Sequence, residues 1–416
     1  MQSSPSPVKN KKRHMILALL FLGWCLSYLD RMAMNVGIVE IAKDYNLSPS
    51  VMGVVLSSFF AGYALMQVPG GWLADKFGSR KVIVVAILFW SLFTVFTGMA
   101  WSLMSMIIIR FMFGLGEGGY PAASSKAIAD VFPKEERPSA QTTMMSSNSL
   151  GGVIAPLIAT PLLVLIGWKN LFIVIGIVGV LVAALLWYYL KPENMQGDSS
   201  EKETLEKTSF KDLIKFPIVW QLSIMWFGMS TLIWGLTSWM PPYLVRERGL
   251  DLLSMGMLTS IPALTGAIGI IIGGKLVQSY LSGKEKYLAI VSSILVILFL
   301  YLIITAPSVT LVITFQSLCT IFHGLVFATI FALPHKVFSK NNIGLVIGVI
   351  NLGGMIGAFL APMVMGYLIE TFNGSYTSAF VYLILCAVLT IIAAVGLNMK
   401  KGLSVINDTM IMSSGK

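Results

Sequence analysis

Arg110 and Glu117 lie in one apolar run, Ile107 to Ser125, that reads Ile-Ile-Ile-Arg-Phe-Met-Phe-Gly-Leu-Gly-Glu-Gly-Gly-Tyr-Pro-Ala-Ala-Ser-Ser. Seven residues are close to two helical turns, so the two side chains share a face, about 10 Å apart along the axis. Charge in hydrocarbon costs about 2.5 to 3.5 kcal/mol per residue even on the mildest scale, so such residues face the protein interior or a wet cavity. They form either a binding site or an ion pair that locks two helices together. Gly114, Gly116, Gly118 and Gly119 surround the carboxylate, and small residues let a neighbouring helix approach closely. Gly114-x-Gly116-x-x-Gly119 also matches a dinucleotide fingerprint, but it lies within a helix and follows no strand, so it carries no nucleotide chemistry.

A second pair, Asp30 and Arg31, follows Tyr28 and Leu29 in the first apolar run. Adjacent helical residues point about 100° apart, so each needs its own partner, and the nearest candidates by depth are Arg110 and Glu117. At about 1.5 Å per residue, Asp30 lies about 14 Å, Arg110 about 9 Å and Glu117 about 20 Å from the outer ends of their runs. The four charges share one slab near the middle of the membrane.

The elements that hold them there are membrane helices. Of 416 residues, 56% are hydrophobic and 12% charged, about half the charge of a soluble domain. Twelve apolar runs long enough for a core of about 30 Å fall near 15–39, 50–74, 82–100, 104–128, 139–166, 168–190, 218–245, 254–279, 286–305, 309–333, 344–370 and 376–398. The basic lead before the first run resembles a secretory signal, but the run continues through Asp30 and Arg31, which predicts an uncleaved first span. Apart from Arg31 and Arg110, all of the 29 Lys and Arg except Lys43, Lys169, Arg246 and Arg248 fall on the side of the N-terminus, so both termini are expected in the cytoplasm. The net charge of +10 is therefore an orientation signal, and no nucleic-acid partner is implied. Cys25, Cys319 and Cys386 have no paired spacing, and His14, His323 and His335 are scattered, so neither disulfides nor a metal site is expected.

A polar stretch, 191–217, divides the chain. The expected organisation is a basic cytoplasmic N-terminus (1–14), a six-helix half (15–190), a cytoplasmic linker (191–217), a second six-helix half (218–398) and a cytoplasmic tail (399–416). Three echoes in the same order support duplicated halves: Gly70-Gly71 with Gly273-Gly274, Val131-Phe-Pro-Lys134 with Val337-Phe-Ser-Lys340, and Asn148-Ser-Leu-Gly-Gly152 with Asn351-Leu-Gly-Gly354.

Between the second and third runs, Gly71-Trp-Leu-Ala-Asp75-Lys-Phe-Gly78-Ser-Arg80-Lys81 resembles the signature loop of the major facilitator superfamily, G-x-L-A-D-x-x-G-x-R-K, at every fixed position. Gly71 permits close helix contact, Gly78 a tight turn, and Asp75 can accept hydrogen bonds from a helix N-terminus across the interface of the halves. The resemblance implies an all-α fold of twelve transmembrane helices in two halves, with Gly71, Asp75, Gly78 and Arg80 as a conformational gate. The matching loop of the second half has Gln278 where the acid would stand, so that role is expected to rest mainly on Asp75.

Tyr28, Asp30 and Arg31, with Arg110 and the run Gly-Glu117-Gly-Gly-Tyr-Pro121, further resemble the anion:cation symporter family, over nearly the whole chain. That branch includes bacterial carriers of galactonate, glucarate and hexuronates, sialin and the vesicular glutamate carriers. The resemblance implies Arg31 and Arg110 as carboxylate handlers, Asp30 and Glu117 as proton sites, Tyr28 and Tyr63 as substrate contacts, and Asn148 and Asn351 as polar residues lining the cavity. The loop of about ten residues after the first run is far shorter than in the animal carriers, which favours a bacterial inner-membrane protein. His323 has no match in the family pattern; a buried packing histidine and a ligand contact both fit it.

Counting charges supplies a mechanism. With all four groups ionised, the quartet sums to zero and each arginine has a carboxylate, so an incoming anion finds no vacancy. Protonating one acid frees an arginine and protonating both leaves +2, so proton and anion binding favour each other. Glu117 reads as the coupling site and Asp30 as its gating partner. The expected partners are a small organic anion, protons and the lipid bilayer; no cofactor is implied, and a monomer is expected. Proton-driven efflux of an anion or drug is a rival, although two buried arginines oppose cationic substrates. A transport-inactive sensor would need an output domain, which the linker and tail are too short to be. No catalytic motif suggests an enzyme.

Overall fold

The computed structural model describes residues 7–191, 215–281, 283–338 and 340–397. The expected linker, from 192 to 214, and the expected tail, from 398 onward, lie outside the described residues, as do residues 1–6 of the basic N-terminus. The described chain is helical: α1 Pro7–Asp44, α2 Pro49–Phe77, α3 Ser79–Gly98, α4 Leu103–Gly118, α5 Tyr120–Val131, α6 Arg137–Tyr189, α7 Pro217–Arg246, α8 Leu252–Lys275, α9 Glu285–Thr305, α10 Val309–Val337, α11 Lys340–Thr371 and α12 Tyr376–Val395. Among the described residues, ten helices are long and apolar enough to cross a membrane. Large apolar side chains such as Val68, Val85, Leu165, Leu181, Ile271 and Ile392 point outward along them, as lipid contact requires.

Local chemistry sets the ends and breaks. Pro49 opens α2 in the first turn, where its missing N–H costs nothing, and Ser102 caps α4 by accepting from the Ser105 amide at 3.1 Å in a reciprocal capping box. Gly78, at φ 87°, makes the turn between α2 and α3. The 53 residues of α6 would run about 80 Å if straight, more than twice the hydrocarbon core. Gly167, at φ 76°, breaks it between the runs expected at 139–166 and 168–190.

The run expected as one helix over 104–128 is interrupted: α4 ends at Gly118 and α5 starts at Tyr120. Pro121 explains this, because it has no N–H to give the carbonyl four residues back, which is that of Glu117. The Gly119 amide turns to that carbonyl instead.

By its internal contacts the chain separates into two units, Met1–Glu203 with Pro241–Ser260, and Thr204–Met240 with Ile261–Lys416. In the first, α1 packs on α6, α2 on α4, and α3 on α4 and α6. The α2–α4 seam is backbone on backbone: a Cβ at Gly62 would strike the Phe111 carbonyl, one at Gly114 the Phe59 carbonyl, and one at Gly118 the Tyr63 carbonyl. Gly116 faces the other way: a Cβ there would come within 2.9 Å of the Trp90 backbone nitrogen of α3. These glycines clamp α4 between α2 and α3, which fixes the rotation of Arg110 and Glu117. Gly114→Ala is therefore expected to cost about 1 to 3 kcal/mol, the usual cost of overpacking. In detergent its thermal midpoint should fall well below that of Gly71→Ala, whose new methyl would meet Ala122 Cβ at an ordinary 3.7 Å. Equal midpoints would mean that the seam can open.

Candidate functional site

The four charges of α1 and α4 meet in the first unit as two crossed ion pairs. Arg110 Nη1 donates to Asp30 Oδ1 at 2.8 Å, and Arg31 Nε donates to Glu117 Oε2 at 3.1 Å. All four are buried, Glu117 at 1% exposure and Arg31 at 7%. Breaking such a pair inside the protein is costly unless something replaces the lost partner.

Two hydroxyls complete the carboxylates. Ser27, one turn before Arg31 on α1, donates to Glu117 Oε1, and Thr94 of α3 donates to Asp30 Oδ2 at 2.5 Å. Each acid thus accepts from one arginine and one hydroxyl. The arginines are left with more donors than acceptors: Arg31 Nη2 and Arg110 Nε are buried with no hydrogen-bond partner among the described residues. An unsatisfied buried N–H of a charged group is costly, and a planar anion is what satisfies it.

Aromatic rings hold the guanidinium groups. Arg31 lies over Tyr28, Phe59 and Tyr63 at 5.2, 4.8 and 4.9 Å from their centroids, and Arg110 over Phe113 at 4.4 Å and Phe59 at 5.9 Å. Phe59 therefore touches both arginines. Rings on the faces of a guanidinium stabilise its charge and leave its edge for hydrogen bonding. Tyr28 is seated by Gly151 of α6, where a Cβ would come within 2.7 Å of the Tyr28 Cβ. Asn148, one turn earlier on α6, is half-buried, and its Oδ1 has no hydrogen-bond partner among the described residues.

In the second unit Asn351 is partly exposed on α11, three residues before Gly354, against which the Trp226 indole of α7 rests. His323 of α10 is buried with its ring 6.4 Å from that of Trp226. The imidazole bonds to the Met229 backbone, while its Nε2 and the Trp226 Nε1 have no partner among the described residues.

The signature loop has its own set of contacts in the first unit. Asp75 is exposed and pairs with Lys126 of α5 at 2.7 Å, Gly71 lies against Ala122, and Gly78 has open space around its α-carbon. Arg80 donates to the Trp187 carbonyl at 2.6 Å and stacks 3.9 Å above that indole. Beside them Ser79 donates to Asp130 at 2.6 Å. The second unit has an acid near its own loop after α8: the buried Glu285, at the start of α9, takes Lys336 of α10 at 2.5 Å.

Sequence reading misses Ser27, Thr94, Phe59, Trp226 and the Glu285–Lys336 pair. The first two carry a weak signal, as hydroxyls in apolar runs near the depth of the charges. Phe59 and Trp226 carry none, since an aromatic residue in a membrane run is unremarkable.

The sequence model of the Major Facilitator Superfamily matches residues 20–362 and 282–402. Among curated proteins, the chain is 31% identical over 392 residues to the probable sulfoacetate transporter SauU of Cupriavidus necator, covering 89% of this chain and 90% of that one. It is 31% identical over 412 residues to the probable galactarate/D-glucarate transporter GarP of Escherichia coli K12 (89% and 91% covered). It is also 31% identical over 391 residues to the hexuronate transporter of Bacillus subtilis 168 (89% and 91%). In fold it is similar to a bacterial homologue of the human lysosomal transporter Spinster, solved in an inward-facing, unoccupied conformation, with a TM-score of 0.82, 22% identity and coverage of 96% and 99%. The chain belongs to the major facilitator superfamily and, within it, to the anion:cation symporter family. It is a transporter and not an enzyme, a multi-pass protein of the bacterial cell membrane.

Proposed function

We propose that the protein is a proton-coupled symporter of an organic anion, most simply a sugar acid (hexonate, hexuronate or aldarate), working by alternating access as a monomer. The crossed quartet carries this reading: two arginines neutralised by two acids, each arginine with a buried N–H to spare. In the ionised state the acids compete with a substrate carboxylate. A proton on Glu117 releases Arg31, whose free edge then takes the anion, so each ligand favours the other. Glu117 is the coupling site and Asp30 its gating partner; Tyr28, Arg31, Tyr63, Arg110, Asn148 and Asn351 bind substrate. The relatives named for galactarate, glucarate and hexuronate transport support a polyhydroxy carboxylate, and the one named for sulfoacetate adds that anion to the panel.

The same reading takes α4 with α5 as one span and the two arms of α6 as two. That makes twelve spans in two six-helix halves (15–190 and 218–398), joined by the cytoplasmic linker 191–217, with both termini cytoplasmic. Gly71, Asp75, Gly78 and Arg80 form the gate, and the Asp75–Lys126 pair is the contact to be remade as it moves.

Sealed vesicles test the function. Adding a carried hexonate, hexuronate, aldarate or sulfoacetate outside should acidify the interior; uptake without proton movement would overturn the coupling. Clamping the potential then counts charges. If Asp30 and Glu117 each load a proton per monovalent anion, the cycle carries net +1 and gains about 2.3 kcal/mol per 100 mV, inside negative. If Glu117 alone cycles, the equilibrium gradient of a monocarboxylate ignores the clamp and Asp30 stays paired throughout.

A further inference from the structure

Thr94 bonds one of the acids of the site but has been given no part in the transport cycle so far. It is on α3, while both charged pairs are built from α1 and α4. Its side chain is buried at 1% exposure, and its Oγ1 lies within hydrogen-bond distance of two acceptors at once: Asp30 Oδ2 at 2.5 Å and the Trp90 carbonyl of its own helix at 2.9 Å. A hydroxyl has one proton and two lone pairs, so it can donate to only one of the two at a time.

We propose that Thr94 is a positioning residue whose hydroxyl rotates with the protonation state of Asp30. While Asp30 is ionised, Thr94 donates to the carboxylate, a charge-assisted bond that outcompetes the backbone carbonyl. When Asp30 takes a proton, it becomes a donor. The Thr94 O–H turns to the Trp90 carbonyl, and the freed lone pair of Oγ1 accepts from the new carboxylic acid. Neither state leaves the Thr94 hydroxyl or the Asp30 proton without a partner, so Asp30 can release Arg110 without stranding its own proton. The only atom that moves is a hydroxyl hydrogen. This rests on the two-proton form of the proposed function, in which Asp30 as well as Glu117 loads a proton.

Among the described residues, Thr94 is the one neutral hydrogen-bond partner of Asp30. From α4 Asp30 is faced by Arg110, bonded to it, and by Glu117; Arg31 follows it on α1, and Tyr28 of α1 and Tyr63 of α2 stand around Arg31 and Glu117. The titratable residues of α6 are Arg137, Lys169, Tyr188 and Tyr189, near its ends and its break, and those of α5 are Tyr120, bonded to the Leu20 carbonyl, with Lys126 and Asp130 beside the signature loop. Ser27 plays a parallel part at Glu117, but only Thr94 has a second acceptor in place.

The test is the pH profile of proton-driven uptake in vesicles for wild type, Thr94→Val and Thr94→Ser. Valine keeps the shape and removes the hydroxyl. Both protonation states then lose a hydrogen bond, the ionised state the stronger one, so protonation becomes easier. The pH of half-maximal uptake should move alkaline by about half to one unit, about three- to tenfold in proton concentration. Serine should restore the wild-type midpoint. In an Asp30→Asn background, Thr94→Val should shift nothing further. Should the valine variant fail to reach the membrane, Thr94→Cys, a weaker donor at the same place, should move the midpoint part of the way. An unchanged midpoint in the valine variant, an equal shift in the serine variant, or a persisting shift in the asparagine background would each overturn the role. Failure of the wider reading looks different, because wild type itself would then take up anion without acidifying the vesicle.

Discussion

Glu117→Gln is expected to abolish accumulation while sparing exchange. In the structure Glu117 accepts from Ser27 on one oxygen and from Arg31 at 3.1 Å on the other; a glutamine oxygen can keep the Ser27 bond while its NH2 replaces the oxygen that holds Arg31, so the variant copies the protonated acid in shape and charge. Arg31 is then permanently free to bind anion, and no proton is needed to release it. Proton-driven uptake of a 1:1 system concentrates substrate about tenfold per pH unit across the membrane. In the variant that ratio should fall to the value set by the anion's own gradient. Counterflow of labelled against unlabelled substrate across an unenergised membrane should survive. A variant that accumulates like wild type would remove Glu117 from the coupling step.

Arg31→Lys should give the largest loss of affinity, and Arg110→Lys a different defect. The Arg31 guanidinium is held among three rings and presents an Nη2 that has no hydrogen-bond partner among the described residues. Lysine keeps the charge but loses the planar fork and the stacking, so substrate affinity is expected to fall about thirtyfold to a hundredfold, equivalent to about 2 to 3 kcal/mol. Arg110 has one nitrogen committed to Asp30 and lies against Phe113, so its replacement should first disturb that pair. Binding measured by scintillation proximity, alongside the pH dependence of uptake, separates the two outcomes. Unchanged binding in both variants would leave the arginines as structural ion-pair residues.

These expectations depend on geometry that is only partly legible from the residues. Asp30, Arg31, Arg110 and Glu117 stand out because charge in an apolar run is conspicuous, and counting rise per residue places them in one slab. Which arginine takes which acid is not legible, since that depends on the rotation and tilt of α1 against α4. Thr94 is one more hydroxyl in a membrane run until α3 is packed beside α1. The same holds for Glu285 and Lys336: the sequence shows Gln278 where an acid would stand, and only the packing of α9 on α10 reveals another acid there. The glycines around Glu117 are legible as permitting close approach, but that Gly114 and Gly118 serve α2 while Gly116 serves α3 is a matter of rotation.

The break after Gly118 has a mechanical consequence. Bending an intact helix means stretching or breaking a backbone hydrogen bond on its convex side, and inside a membrane that bond has no water to replace it. At Glu117 the regular bond from four residues ahead is already forfeited, because Pro121 has no hydrogen to offer, and the carbonyl takes the Gly119 amide instead. The cheapest joint in this span therefore sits at the residue proposed as the coupling site. Under the proposed coupling, a change in the charge of Glu117 is felt where the backbone resists least.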